Sequence, residues 1–190
     1  VGDAPTHILF DSYMRAYNIK TQNNGWLKYS LTSPLALKLF CELNQDQTVS
    51  LSNRTEVSMT SLWRKKIEKI EGEYCEKNGR PEKNQYVLRA VVFLSKQFVA
   101  AERLEHSSLV DKLAAELKTA TEYAESLVNY LEEYGVLSCY CEHGMGLAPD
   151  TYFYYPGIQG YFDYASALYI ISQYEHPRDI DFNECKAVQM

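Results

Sequence analysis

Cys139, Cys141 and His143 alternate along the stretch LSCYCEH. The period-two pattern there predicts a β-strand, which turns all three side chains to one face and offers two thiols and an imidazole, donor types that hold zinc. A structural zinc site takes four ligands, and the remaining cysteines, Cys41, Cys75 and Cys185, stand alone in the sequence. With no fourth ligand in view, the stretch reads as one half-buried face of a hairpin, and no metal is assigned. The other groups capable of chemistry do not assemble either. The four histidines, His7, His106, His143 and His176, are scattered, and the chain has neither a G-x-S-x-G elbow nor an H-E-x-x-H helix. Glu132 and Glu133 fall on a predicted wet helix face, where solvated carboxylates are the expected reading rather than an acid/base pair. No glycine is followed by lysine, so a phosphate-cradling G-x-x-x-x-G-K-S/T loop is absent and the chain alone is expected not to hydrolyse nucleotide.

A second signal is Pro34, staged behind Trp26 and Tyr29 at the mouth of the apolar run PLALKLFCEL. Proline suits the first turn of a helix, where its missing N–H has no intrahelical partner to lose. The elements that must position these residues follow from periodicity. A first amphipathic helix is predicted over HILFDSYMRAY, from His7 to Tyr17, and is broken by the turn residues of NIKTQNNGW. The second runs from Pro34 to Leu43, with Leu35, Leu39 and Leu43 stacked at i, i+4, i+8 beside Ala36 and Phe40 as its core face. A polar, turn-rich connection follows, in which Val49 to Leu51 reads as extended. The next helix repeats Leu62, Ile67, Ile70 and Tyr74 at helical spacing, with Glu68, Lys69 and Glu71 on its outer face. Asn78, Gly79 and Pro81 stop it.

Beyond that stop, YVLRAVVFLSKQFVAAERL predicts a long buried helix, Ser107 or Ser108 caps a short one through LVDKLAAEL, and a third spans Ala120 to Gly135. The period then changes from 3.6 to 2, and VLSCYCEH and TYFYYP flank a turn as a hairpin. Helix, helix, helix, hairpin is the outline of a winged helix, closed here by the aromatic helix IQGYFDYASALYIISQY. The expected fold is therefore mainly α: a helical bundle over 1–80, a winged helix with one β-hairpin over 81–174, and a connector over 175–190.

Composition bounds the function. With 190 residues and 46% hydrophobic content the chain can bury a real core. It opens on Val1 without a basic or sustained apolar leader, and so reads as a piece of something longer. Lys38, Arg89, Lys96 and Asp163 interrupt the longest apolar stretches, so no membrane span is expected. Five irregularly spaced cysteines suit a reducing compartment, and the cytoplasm is the expected location. A net charge of -6 and a pI near 5.3 argue against nucleic-acid or anionic-membrane partners. The predicted third helix carries Glu122, Glu125, Glu132 and Glu133 and no Lys or Arg, which would repel a DNA duplex.

The string GWLKYSLTSPLALKLFCE, followed by the Leu62–Tyr74 helix, resembles the helical lid behind the ATPase core of NACHT-type STAND NTPases, particularly bacterial antiviral ones. The second half, with its winged-helix order and the ending FYYPGIQGYFDY, is similar to the same family. The resemblance implies a regulatory lid and winged-helix module that clasps an adenine nucleotide, ATP or ADP with Mg²⁺, in the full-length protein, the fragment binding none tightly. It implies that Pro34 faces the base, and that Tyr155, standing where the family often has a sensor histidine, offers a hydroxyl toward the phosphates. The implied partners are the ATPase core and C-terminal sensor of the same polypeptide, with homo-oligomer formation on activation. The parent would be an ATPase and the fragment inactive alone. The alternative from the residues themselves is a winged-helix interaction module that binds protein through Tyr152, Tyr154, Tyr155, Tyr161, Tyr164 and Tyr169. A DNA-binding regulator is the third reading.

Overall fold

Residues 5–22, 25–51, 53–146, 148–172, 176 and 178 are described by the structure, a computed structural model. They are mainly helical with two small sheets, and the chain divides into two units, Val1–Lys69 and Ile70–Met190. The connector 175–190, with Cys185, lies outside the described residues apart from positions 176 and 178, as do Gln173 and Tyr174 at the end of the predicted last helix.

In the first unit, α1 (Pro5–Ala16) ends where Asn18 takes a left-handed φ of 51°. Its side-chain amide donates to the Asp46 carboxyl at 3.0 Å. That reversal sets β1 (Lys20–Thr21) parallel to β2 (Thr48–Val49), so the stretch read as extended from Val49 to Leu51 is strand only at Val49 and begins one residue earlier. Between them lie the single turn α2 (Leu27–Ser30) and α3 (Pro34–Leu43), whose bounds coincide with the predicted helix. The buried stripe of α3 is Ala36, Leu37, Leu39, Phe40 and Cys41. Leu35, expected in the core, is 37% exposed, and Leu43 is only half-buried, because the helix turns the Leu37–Phe40 side inward. The 3₁₀ turn Arg54–Val57 is closed by a capping box in which Asn53 accepts from the amides of Thr55 and Glu56 and the Glu56 side chain accepts from the Asn53 amide. It leads into α4 (Met59–Asn78), whose Lys66 meets Glu42 near the C-terminus of α3 at 2.9 Å.

The division between units falls inside α4, ahead of the stop at Gly79. The reason is the second half of that helix, which packs with the residues after it. Tyr74 stacks edge-on to Tyr130 at 5.1 Å and to Tyr86 at 6.3 Å. Gly79 has φ +60° and the Arg80 amide reaches back to the Cys75 carbonyl at 2.8 Å, the helix end its sequence predicts. Glu71 departs from expectation. It is 7% exposed rather than solvated, and its Oε2 accepts from the amides of Val87 at 2.6 Å and Leu88 at 3.1 Å. These are amides of the first turn of α5 (Tyr86–Ala100), whose own N-cap, Gln85, makes no side-chain cap bond. A carboxyl borrowed from α4 thus satisfies donors that helix geometry leaves orphaned.

Helix α5 stops at Ala100, earlier than predicted, because Ala101 is extended and leads to β3 (Leu104–Glu105). Helix α6 (His106–Leu117) begins at Glu105 as N-cap; neither Ser107 nor Ser108 caps it, and the Ser107 hydroxyl donates instead to Glu105 Oε1 at 3.0 Å. Helix α7 (Thr121–Glu133) ends at Gly135, where φ is +68°. The hairpin of β4 (Leu137–Glu142) and β5 (Thr151–Pro156) forms in the register Cys139↔Tyr154 and Tyr140↔Phe153. β3 adds antiparallel to β5, giving the order β3-β5-β4. Helix α8 (Gln159–Ser172) returns along α5, with Phe162 edge-on to Phe98 at 5.4 Å. Among the described residues no helix is long and apolar enough to cross a membrane.

Tyr130 of α7 is 4% exposed and its hydroxyl donates to the Ile70 carbonyl at 3.1 Å. Burial and its tyrosine and glutamate neighbours push its ionisation far up, so it stays a donor. Tyr130→Phe should therefore lower unfolding free energy by about 1 kcal/mol in urea denaturation, with no change of fold. A variant as stable as the parent would mean that the hydroxyl finds an equal partner in water.

Candidate functional site

Pro34 occupies the first turn of α3 behind Ser33, whose backbone is extended (φ -79°, ψ 129°) and whose carbonyl accepts the Leu37 amide at 2.9 Å. The Ser33 side chain makes no cap bond. Thr32, Ser33, Pro34 and Leu35 are all exposed, and Tyr29, with Lys28 5.1 Å from its ring centre, is 61% exposed. In the first unit, then, the proline stands on an exposed helix start.

Tyr155 lies in the second unit, 40% exposed, on β5. The pleat puts Ser138, Tyr140 and Glu142 of β4 and Thr151, Phe153 and Tyr155 of β5 on one face of the hairpin. There Tyr140 stacks on Phe153 at 5.5 Å and meets Tyr155 at 6.1 Å. Arg103, just ahead of β3, sits 4.2 Å from the Phe153 ring centre and pairs with Glu142, which also accepts from the Tyr140 hydroxyl at 3.0 Å. The sequence pattern does not announce this aromatic face with one guanidinium clamped across it, because helical spacing continues through Arg103, whereas the helix ends at Ala100 and Arg103 leads into β3. The only sequence signal of the face is the alternation of aromatic residues in TYFYYP.

The opposite face carries Cys139, Cys141, Tyr152 and Tyr154. Tyr154 is buried, 5.6 Å from the His106 ring, and donates to Glu132 Oε2 at 3.1 Å. Of the tyrosines considered for partner contact, Tyr154 and Tyr161 are buried at 4% and 1%, Tyr164 and Tyr169 are half-buried, and Tyr152 and Tyr155 are exposed. Cys139 points toward the Tyr140 carbonyl, at 3.9 Å, while Cys141 and His143 approach each other at 3.7 Å. Asp150, across the turn, joins them at 3.2 Å from His143 Nδ1. The sequence offers no pattern for that third group, since only the fold of the turn brings position 150 to position 143.

The outer face of α7 exposes Glu122, Glu125, Glu132 and Glu133 as read from the sequence. With Lys77, Asn78, Ser126, Asn129 and Tyr130, three of these line a shallow hollow of about 370 Å³. Lys77 approaches Glu133 at 3.4 Å and His106 approaches Glu125 at 3.7 Å. The surface is acidic, with no free run of cations for phosphates.

Comparison of the chain with protein-family models, with curated proteins and with solved structures gives no match.

Proposed function

We propose that the chain is the regulatory lid and winged-helix module of a STAND-type, NACHT-like ATPase, which helps to hold ATP or ADP with Mg²⁺ and relays ligand sensing to activation in antiviral defence. The observation that carries the reading is the connectivity α5–β3–α6–α7–β4–β5, in which β3 pairs with β5 and three helices precede the hairpin. That is the chain path a winged helix needs, and it follows a helical unit whose Pro34 corner is exposed. The acidic outer face of α7 favours a protein-facing use of this path over DNA readout, because a duplex would meet repulsion where it needs phosphate contacts.

In this reading the Pro34 corner supplies apolar contact to the base and Tyr155 a single neutral hydroxyl to the phosphates, while the ATPase core of the same polypeptide supplies the amides and lysine that dominate phosphate affinity. A switch of this kind works only if those contacts differ between two states, so the lid holds the ADP state and releases on activation, when copies assemble.

The test uses the full-length polypeptide, with calorimetry at fixed salt and Mg²⁺. Pro34→Ala should weaken ADP affinity several-fold without altering unfolding, since alanine is tolerated in a helix's first turn. Tyr155→Phe removes only the hydroxyl and should cost about 1.5 kcal/mol of binding. The 190-residue chain alone should bind nucleotide negligibly. Unchanged affinity in both full-length variants would sink the nucleotide reading. It would favour the second one, a protein-interaction module without nucleotide, for which the exposure of Tyr152 and Tyr155 is the supporting observation.

A further inference from the structure

The turn between β4 and β5 gathers three different donors. Cys141 is the next-to-last residue of β4, His143 stands just past its end, and Asp150 stands just before β5. The last ladder pair is Glu142↔Thr151, so positions 143 and 150 continue the same register by one rung. The carboxyl is fixed in place by the Gly144 amide, which donates to Asp150 Oδ1 at 3.0 Å. That contact needs a glycine, because a Cβ at position 144 would lie 2.0 Å from the Ala148 carbonyl oxygen.

The distances within the group decide what it can do. His143 Nδ1 is 3.7 Å from Cys141 Sγ and 3.2 Å from Asp150 Oδ2, and one donor atom from each of the three residues lies within 4.8 Å of the others. Both neighbours therefore address the same ring nitrogen. A proton relay from thiol through imidazole to carboxylate uses the two nitrogens on opposite sides of the ring, so this is not a nucleophilic triad.

Three donor atoms within 4.8 Å of one another are close enough to serve as ligands around one cation. With zinc bonds of about 2.3 Å to sulfur and 2.0–2.1 Å to nitrogen and oxygen, tetrahedral angles require about 3.6 Å between sulfur and nitrogen and about 3.3 Å between nitrogen and oxygen. The observed separations match both. We propose that Cys141, His143 and Asp150 bind a zinc-class divalent transition-metal ion at the hairpin turn, the fourth position being filled by water. The mixed sulfur, nitrogen and oxygen set selects such an ion over Mg²⁺ or Ca²⁺, which prefer oxygen alone. Access is open, as the His143 and Asp150 side chains are 81% and 44% exposed. Bound there, the ion ties the end of β4 to the start of β5 and closes the turn between them. Cys139 lies outside the group of mutually close donors, which is Cys141, His143 and Asp150. The site stands independently of any nucleotide role.

The experiment titrates Co²⁺, then Zn²⁺, into the tag-free, chelator-stripped chain. Expected are one equivalent of Co²⁺, a near-ultraviolet thiolate-to-cobalt charge-transfer band with tetrahedral visible bands, and loss of both on adding Zn²⁺. Outer-shell partners of metal sites alone change affinity about 10–100-fold, so Cys141→Ala, which removes a direct ligand, should abolish the band and weaken binding by more than about 100-fold. His143→Ala and Asp150→Asn should each weaken it by at least about 10-fold. Cys139→Ala should bind as the parent does. Circular dichroism checks each fold, and should Cys141→Ala misfold, His143→Ala carries the test, since an exposed side chain is lost. A charge-transfer band that survives Cys141→Ala, affinity indifferent to His143→Ala, or no saturable binding of either ion tighter than about 100 μM would overturn the proposal.

Discussion

Glu71→Ala should lower the unfolding free energy by about 3 kcal/mol, because it leaves the Val87 and Leu88 amides buried at the start of α5 with no acceptor, at about 1–3 kcal/mol for each unsatisfied group. The residue is nearly inaccessible, so water cannot easily replace the lost oxygen. Cys75 adds to the arrangement, its thiol donating to Glu71 Oε1 at 3.3 Å and pushed up to about 11 by burial and by that bond. Glu71→Gln keeps one carbonyl oxygen and should cost about half as much. Urea denaturation followed by circular dichroism measures the loss. Hydrogen exchange gives a local reading, since the Val87 and Leu88 amides should lose protection before the rest of α5. A Glu71→Ala variant within about 0.5 kcal/mol of the parent would mean that the α5 start rearranges to cap itself.

Glu71 also marks where the sequence stops being readable. Position 71 lies four residues after Ile67 and four before Cys75, on the line that the structure buries. Its charge made it look like part of the wet face, and the partner that makes burial tolerable comes from another helix, sixteen positions away. By contrast, the start of α3 and the ends of α4 and α7 were legible, because Pro34, Gly79 and Gly135 act through their own backbone preferences. β1 and β3 are two residues each and exist only through pairing with distant strands, so periodicity had nothing to detect, while β2 meets the stretch read as extended only at Val49. Leu35 shows the finer limit: with only Lys38 and Glu42 charged along α3, spacing alone admits two adjacent stripes, and packing chose the one through Leu37 and Phe40.

The candidate sites divide in the same way. Pro34 as a helix start is a local property and follows from sequence, whereas its exposure is a tertiary one. Alternation along β4 correctly put Cys139 and Cys141 on one face, yet the two thiols point to different neighbours, and the group near Cys141 is completed by Asp150 from across the turn. Metal-ligand spacing is informative where both ligands sit on one element. It is silent where a loop supplies the last ligand.

Leu127→Ala should cost about 2–5 kcal/mol of unfolding free energy, the range for truncating a leucine in a packed core. Leu127 is 1% exposed and shares its face of α7 with Ala124, Val128 and Leu131, which turn toward α6 and β4. The opposite face is the acidic one, so the helix separates stability from surface chemistry along its length. Glu122→Gln is the matched control: an exposed residue on the rim of the acidic hollow should change stability by less than about 0.5 kcal/mol. The contrast tests the orientation of α7 directly. If Leu127→Ala lost less than about 1 kcal/mol while Glu122→Gln destabilised, α7 would be burying its carboxylates. The argument against a DNA-reading helix would fall with it, since that argument needs those carboxylates at the surface.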